Sequence, residues 1–197
     1  MATTALSTLQ PLMTLPRCPD AVQFRALRRA CHRFCRLTEI WREDLAAILT
    51  VADQEDYICS VAYTDTFFLR AYKVTVDSVE KCEDDWSFST AGVLSLDPAP
   101  VTADKDIIVS VVYIPSTECT DVVDWLVTRW GPGIAAGAEA ELKADPGGGR
   151  QPVPWYNPES AALAASVFSQ HVGEAKAELL NERRSGYVGV NQQRFYL

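Results

Sequence analysis

Apolar positions in the chain change period twice. From Pro19-Asp20 onward, Leu27, Ala30, Cys31, Phe34, Thr38 and Trp41 recur at spacings of three and four. That spacing puts them on one face of a helix, and it predicts a helix from about residue 20 to about 40. Asp20 lies close to the positive end of its dipole. A period of two and β-branched residues then take over. Residues 56–63, 66–79, 86–88 and 92–96 read as strands, the last ended by Asp97-Pro98-Ala99-Pro100. Asp106–Ile114 is the strongest strand signal, closed by Pro115-Ser116. Helical spacing returns at Thr120-Asp121, with Val122, Val123, Leu126, Val127 and Trp130 on one face. Gly131-Pro132-Gly133 is expected to interrupt that helix before an alanine-rich stretch to Ala144, and Asp145–Gly149 reads as a loop. A last helix is expected after Pro154–Pro158, with Asn157 as N-cap and Pro158 at its first position. Phe168, Val172, Ala175 and Leu179 form its buried stripe, and Ser185-Gly186 is expected to stop it.

The fold class that follows is α+β: an antiparallel helical bundle with an inserted small antiparallel β domain and an extended C-terminal tail. The expected boundaries are 1–44 for the N-terminal arm and first helix, 45–116 for the β insertion, 117–184 for the remaining helices and 185–197 for the tail. The final eleven residues carry Tyr187, Val188, Val190, Phe195, Tyr196 and Leu197. A terminus that is only solvated is usually polar, so this one is expected to pack either on its own fold or on a partner.

With 197 residues, 48% of them hydrophobic and 22% charged, the chain is long enough for a proper core and reads as globular. No stretch reaches the roughly 18 apolar residues of a membrane span. No basic segment precedes the first apolar residues, so no secretory signal is expected. The six cysteines are then expected to be free thiols, mostly buried.

Charge is unevenly distributed. Residues 1–42 hold seven arginines against Asp20 and Glu39, a net of +5. Residues 43–118 hold fifteen acids against four bases, a net of −11. Blocks of opposite sign suggest contact surfaces between copies or with a partner. Arg25, Arg29, Arg33 and Arg36 share a second face of the first helix. That face suits either nucleic-acid phosphates or an acidic protein surface, and the acidic block in the same chain favours the protein.

Catalytic and metal patterns are thin. Cys31, His32 and Cys35 sit close together, but a helix points His32 about 100° away from Cys31 and a tetrahedral site needs four ligands. They are expected to be core residues, and no metal and no cofactor is expected. His32 and His171 are the only histidines, and neither lies in a recognisable triad, so no catalytic residue is assigned. Gly147-Gly148-Gly149 lacks the Lys-Ser or Lys-Thr of a phosphate loop. Glu83-Asp84-Asp85 lacks the alternating ligands of a calcium loop and reads as a charged turn.

Several short motifs carry a resemblance. Leu15-Pro16-Arg17-Cys18-Pro19 precedes an arginine-bearing helix with Ala30, Phe34-Cys35 and Trp41. Leu94–Pro100, Val109–Tyr113 and Pro115-Ser116 follow in the β region. Pro154–Pro158, Phe168, Ala175-Lys176, Val190 and Arg194-Phe195 complete the set. In this order the chain resembles the head–tail connector or adaptor proteins of tailed bacteriophages, of the tail tubular protein A type, over about residues 15–197. The resemblance implies a non-enzymatic homo-oligomeric ring, of twelve copies, in the neck of the virion. There it would join the portal protein to the tail or to a second neck protein, with DNA passing through the lumen and no membrane involved. The subunit would reside in the host cytoplasm before assembly. The resemblance also implies that Tyr187, Val188, Val190, Arg194, Phe195, Tyr196 and Leu197 dock on the portal. The alternative function is a DNA-binding packaging or regulatory protein acting through Arg25, Arg29, Arg33 and Arg36.

Overall fold

A computed structural model describes the backbone over residues 2–149 and 151–194 and the side chains as far as Asn181, Arg150 excepted. In chain order the strands and helices are β1 (Thr3–Ala5), α1 (Asp20–Thr38), β2 (Arg42–Asp44), β3 (Ile48–Leu49), β4 (Asp56–Ile58), β5 (Thr66–Val76), β6 (Val79–Glu80), β7 (Trp86–Phe88), β8 (Val93–Leu96), β9 (Asp106–Pro115), β10 (Asp121–Val123), α2 (Asp124–Ala144) and α3 (Pro158–Arg194). Two 3-10 segments, Leu6–Leu12 and Glu83–Asp85, complete the set. The fold is α+β, and its antiparallel sheets include a curled half-barrel. The chain divides into a helical unit, Met1–Ile40 with Thr120–Leu197, and a β unit, Trp41–Cys119.

In the helical unit, α1 buries Ala26, Leu27, Ala30, Cys31, Phe34, Cys35 and Thr38, which is the expected stripe except for Trp41; the helix ends at Thr38, and Trp41 belongs to the β unit. Thr38 donates its hydroxyl to the Phe34 carbonyl (2.8 Å), and Glu39 ends the helix with a left-handed backbone, φ 53°. Successive pairs set the helix directions. Arg29 pairs with Glu141 and Arg33 donates to the Gly137 carbonyl (3.1 Å), so α1 and α2 run antiparallel. Lys143 meets Ser160, Gly137 meets Phe168, and Arg129 pairs with Glu178, so α2 and α3 also run antiparallel. Phe34 lies between them, 5.7 Å from Trp130 and 6.1 Å from Phe168 between ring centroids.

Two expectations for the start and course of α2 are corrected. The segment expected to open the second helix is strand β10, paired antiparallel with β1, and the helix begins only at Asp124. Gly131-Pro132-Gly133 does not interrupt α2, which runs unbroken to Ala144. A helix-interior proline costs about 3 kcal/mol, and close packing offsets it here. A Cβ on Gly131 would lie 2.6 Å from a Leu9 methyl, one on Gly133 2.6 Å from the His171 Cβ, and one on Gly137 2.5 Å from the Phe168 ring. The glycines are where other elements approach the helix axis, and removing their side chains is what lets them do so.

Asn157 caps α3 as expected, accepting the Ser160 N–H on its side-chain oxygen (3.0 Å). Phe168, Ala175 and Leu179 are buried, while Val172 is half-buried. The expected stop at Ser185-Gly186 and the extended conformation after it are corrected over residues 185–194, where the helix continues to Arg194. A glycine costs a helix only about 1 kcal/mol, and without a left-handed turn it does not end one. Phe195, Tyr196 and Leu197 lie outside the described residues.

In the β unit, β9 is the central strand and is buried along most of its length. It pairs antiparallel with β5 on one side and with β2 and β3 on the other. The strand signal over 66–79 resolves into β5 and β6, joined by a tight turn at Asp77-Ser78 with φ of 51° and 64°. That over 56–63 yields only β4, which joins β8 and β7 in a separate three-stranded sheet. The insertion begins at Trp41 rather than 45, because β2 already belongs to the β9 sheet.

Candidate functional site

The arginine face of α1 is divided between two uses. Arg29 is tied to Glu141. Arg33 donates to Gly137 and lies 4.6 Å above the Phe168 ring. Both guanidinium groups therefore help to seat α1 on its neighbours. Arg25 and Arg36 remain exposed, three helical turns apart on the same face.

Cys31 and Cys35 are fully buried in α1. A hydrogen bond to Cys35, together with burial, holds the Cys31 thiol well above the ordinary cysteine range. A thiol so placed is a packing group, since the thiolate is the form that binds metal or attacks. His32 is half-buried on a different side of the helix. Among the described residues no group of three metal-ligating side chains converges. Glu83, Asp84 and Asp85 form a short 3-10 turn, largely exposed.

The residues assigned to portal docking fall at the chain end. The side chains of Tyr187, Val188, Val190 and Arg194, like the whole of Phe195, Tyr196 and Leu197, lie outside the described residues. The backbone still places the segment. Extending the α2–α3 register of Lys143–Ser160, Gly133–His171 and Arg129–Glu178 puts Asp124, the first residue of α2, opposite about residue 182. Helix α3 continues to Arg194, roughly three turns or about 18 Å further at 1.5 Å per residue. The Tyr187–Arg194 segment thus overhangs α2.

Two features went unnoticed in the sequence. On the helical unit, Leu12, Pro132, Ala136, Leu163, Ala164 and Val167 line an apolar groove of about 390 Å³. Leu163 is 71% exposed. The groove has a polar end, where buried Lys143 pairs with Glu139 and donates to the Ser160 hydroxyl (2.8 Å). Leu163 and Val167 fall within the expected last helix but outside its expected stripe, and only the approach of Leu12 and Pro132 makes a concave surface of them.

The second feature is in the β unit. The Glu43 carboxylate accepts the Trp41 indole N–H (3.0 Å) and the Tyr63 hydroxyl (2.8 and 2.7 Å). Burial, then the hydrogen bond to Glu43, pushes the Tyr63 phenol far above the ordinary tyrosine range. Tyr63 is therefore held as a proton donor, and with Trp41 and Tyr113 it forms an aromatic cluster with centroids 5.2–5.7 Å apart. The arrangement locks the first strand of the unit to the loop before β5.

Charge follows the division into units. The β unit holds fifteen acids against five bases, a net of −10, and the rest of the chain is +2. No helix among the described residues is long and apolar enough to cross a membrane. The chain matches no protein-family model and no curated protein sequence.

Proposed function

We propose that this chain is a non-enzymatic structural subunit of a tailed-phage neck, forming a ring that joins the portal to the tail. In this reading it is a helical bundle interrupted by a β insertion, made in the host cytoplasm and built into the virion. The observation that carries the reading is the overhang of α3. The overhanging end carries Tyr187, Val188 and Val190 with no α2 alongside it, and an amphipathic helix laid in a partner's groove is a common recognition mode. The split of charge between the units adds support, because copies can then attract one another through unlike surfaces. The motif resemblance to adaptor proteins names the partner as the portal.

The test is deletion of residues 187–197. The truncated chain is expected to lose portal binding while its thermal unfolding stays close to that of the full chain. Undiminished portal binding by the truncated chain would overturn the docking role.

A DNA-binding packaging or regulatory role is the second reading, and Arg25 and Arg36 are the exposed cations that favour it. It requires steeply salt-dependent binding to duplex DNA, and with Arg29 and Arg33 engaged within the helical unit the four-arginine face would give a shallower salt slope. A net charge of −8 opposes it.

A further inference from the structure

We infer that Lys143 is a positioning residue: it fixes the register of α3 on α2, and with it how far α3 reaches past α2. The use of that reach in docking rests on the neck reading; the register itself does not.

Lys143 is 8% exposed and lies in the last turn of α2. Its ammonium pairs with Glu139, one turn back on α2, and donates to the Ser160 hydroxyl in the first turn of α3 (2.8 Å). Its carbonyl accepts the Asn157 N–H (3.0 Å). One residue thus holds the start of α3 by both its main chain and its side chain. The Lys143 and Glu139 side chains are 10% and 16% exposed, against 45% and 30% for Arg29 and Glu141. A buried ion pair adds little stability over apolar groups of the same size, because desolvation offsets the attraction. What it supplies is a penalty on any arrangement that leaves a buried charge short of partners.

The rest of the α2–α3 seam needs that penalty, because its contacts repeat. Gly133 and Gly137 are one turn apart on α2, and the rings they admit, His171 and Phe168, are one turn apart on α3. Sliding α3 by one turn therefore still brings a ring to a glycine: Phe168 to Gly133, or His171 to Gly137. In the first case Arg129 finds Glu174, one turn before its present partner Glu178. A slide separates Phe168 from Phe34, but Phe34 keeps Trp130 on α2. Ser160 does not repeat. One turn along α3 stand Leu163 and Ala164, which carry no hydroxyl, and one turn back stands Asn157, whose side-chain oxygen already caps the helix. A slide of one turn, about 5.4 Å, leaves the buried ammonium without its α3 partner. It would move the α3 end by the same distance.

Paired spin labels test the register. In a Cys82→Ser background, which removes the exposed native thiol, Thr128→Cys on α2 and Ala162→Cys on α3 carry the labels. Both positions are exposed. The distance between them, read by double electron–electron resonance, is expected to be single in this chain. Ser160→Ala removes only the α3 partner of the ammonium, and Glu139→Leu with Lys143→Met replaces the ion pair by apolar groups of similar size. Each is expected to add a second distance, displaced by about 5 Å. Ser160→Thr returns a hydroxyl and is expected to restore the single distance. One unchanged distance in both the Ser160→Ala chain and the double variant, whatever their stability, overturns the inference. No portal is present, so that outcome removes the register pin and leaves the portal-binding test untouched.

Discussion

The two units achieve a specific fold by different means. The helical unit relies on shape. Its helices meet through Gly131, Gly133 and Gly137, where a missing Cβ admits Leu9, His171 and Phe168. The β unit relies on polar groups placed within the fold. Glu43 collects Trp41 and Tyr63, Thr50 collects Thr102 and Lys105, and Ser110 donates to Asp44. Steric fit tolerates no added volume, whereas a hydrogen-bonded cluster tolerates no missing partner. Added volume should therefore be felt most in the helical unit, and a deleted polar group most in the β unit.

The largest effect comes from emptying each core. Phe34→Ala in the helical unit and Phe68→Ala in the β unit should each cost about 3–5 kcal/mol. Calorimetry on both variants separates the units. If each variant lowers a different transition, the units unfold separately; one shared transition would show that their stabilities are coupled.

Added volume comes next. Gly137→Ala gains helix propensity of about 1 kcal/mol but drives a Cβ to 2.5 Å from the Phe168 ring, a strain of about 1–3 kcal/mol, so a net loss is expected. Gly173 in α3 has nothing within 4 Å of its would-be Cβ, so Gly173→Ala should stabilise. Opposite signs in chemical denaturation distinguish packing from propensity, and equal signs would break the steric account.

The smallest effect is expected from Tyr63→Phe, which removes one hydrogen bond to a carboxylate that keeps the Trp41 N–H as a partner, at a cost of about 1 kcal/mol. Its pH dependence sharpens the comparison. Folding raises the phenol's pKa, so the associated stability is present in full below the unfolded value of about 10 and declines as pH rises above it. The wild type should lose stability across that range faster than Tyr63→Phe. Denaturation midpoints at pH 8 and above would show it, and parallel curves would remove Tyr63 from the cause.

Much of the local structure was legible in the residues themselves. The α1 stripe, strand β9 and the Asn157 cap each depend on neighbours within a few positions, which periodicity and capping chemistry report. The Gly131–Gly133 segment misled because its glycines and proline act against Leu9 and His171, contacts that no local spacing encodes. Strand β10 misled for the same reason, since its partner β1 lies about 120 residues away. The short strands β2 and β3 depend on pairing to β9.

Of the surfaces, the sequence by itself determined the acidic middle, the arginines of α1 and the apolar chain end, because charge and hydropathy belong to single residues. Only the tertiary structure decided which arginines are spent inside the fold, which aliphatic residues form a groove and where α3 outruns α2. Those are relations between elements far apart in the chain, and they exist only once the helices have chosen their register.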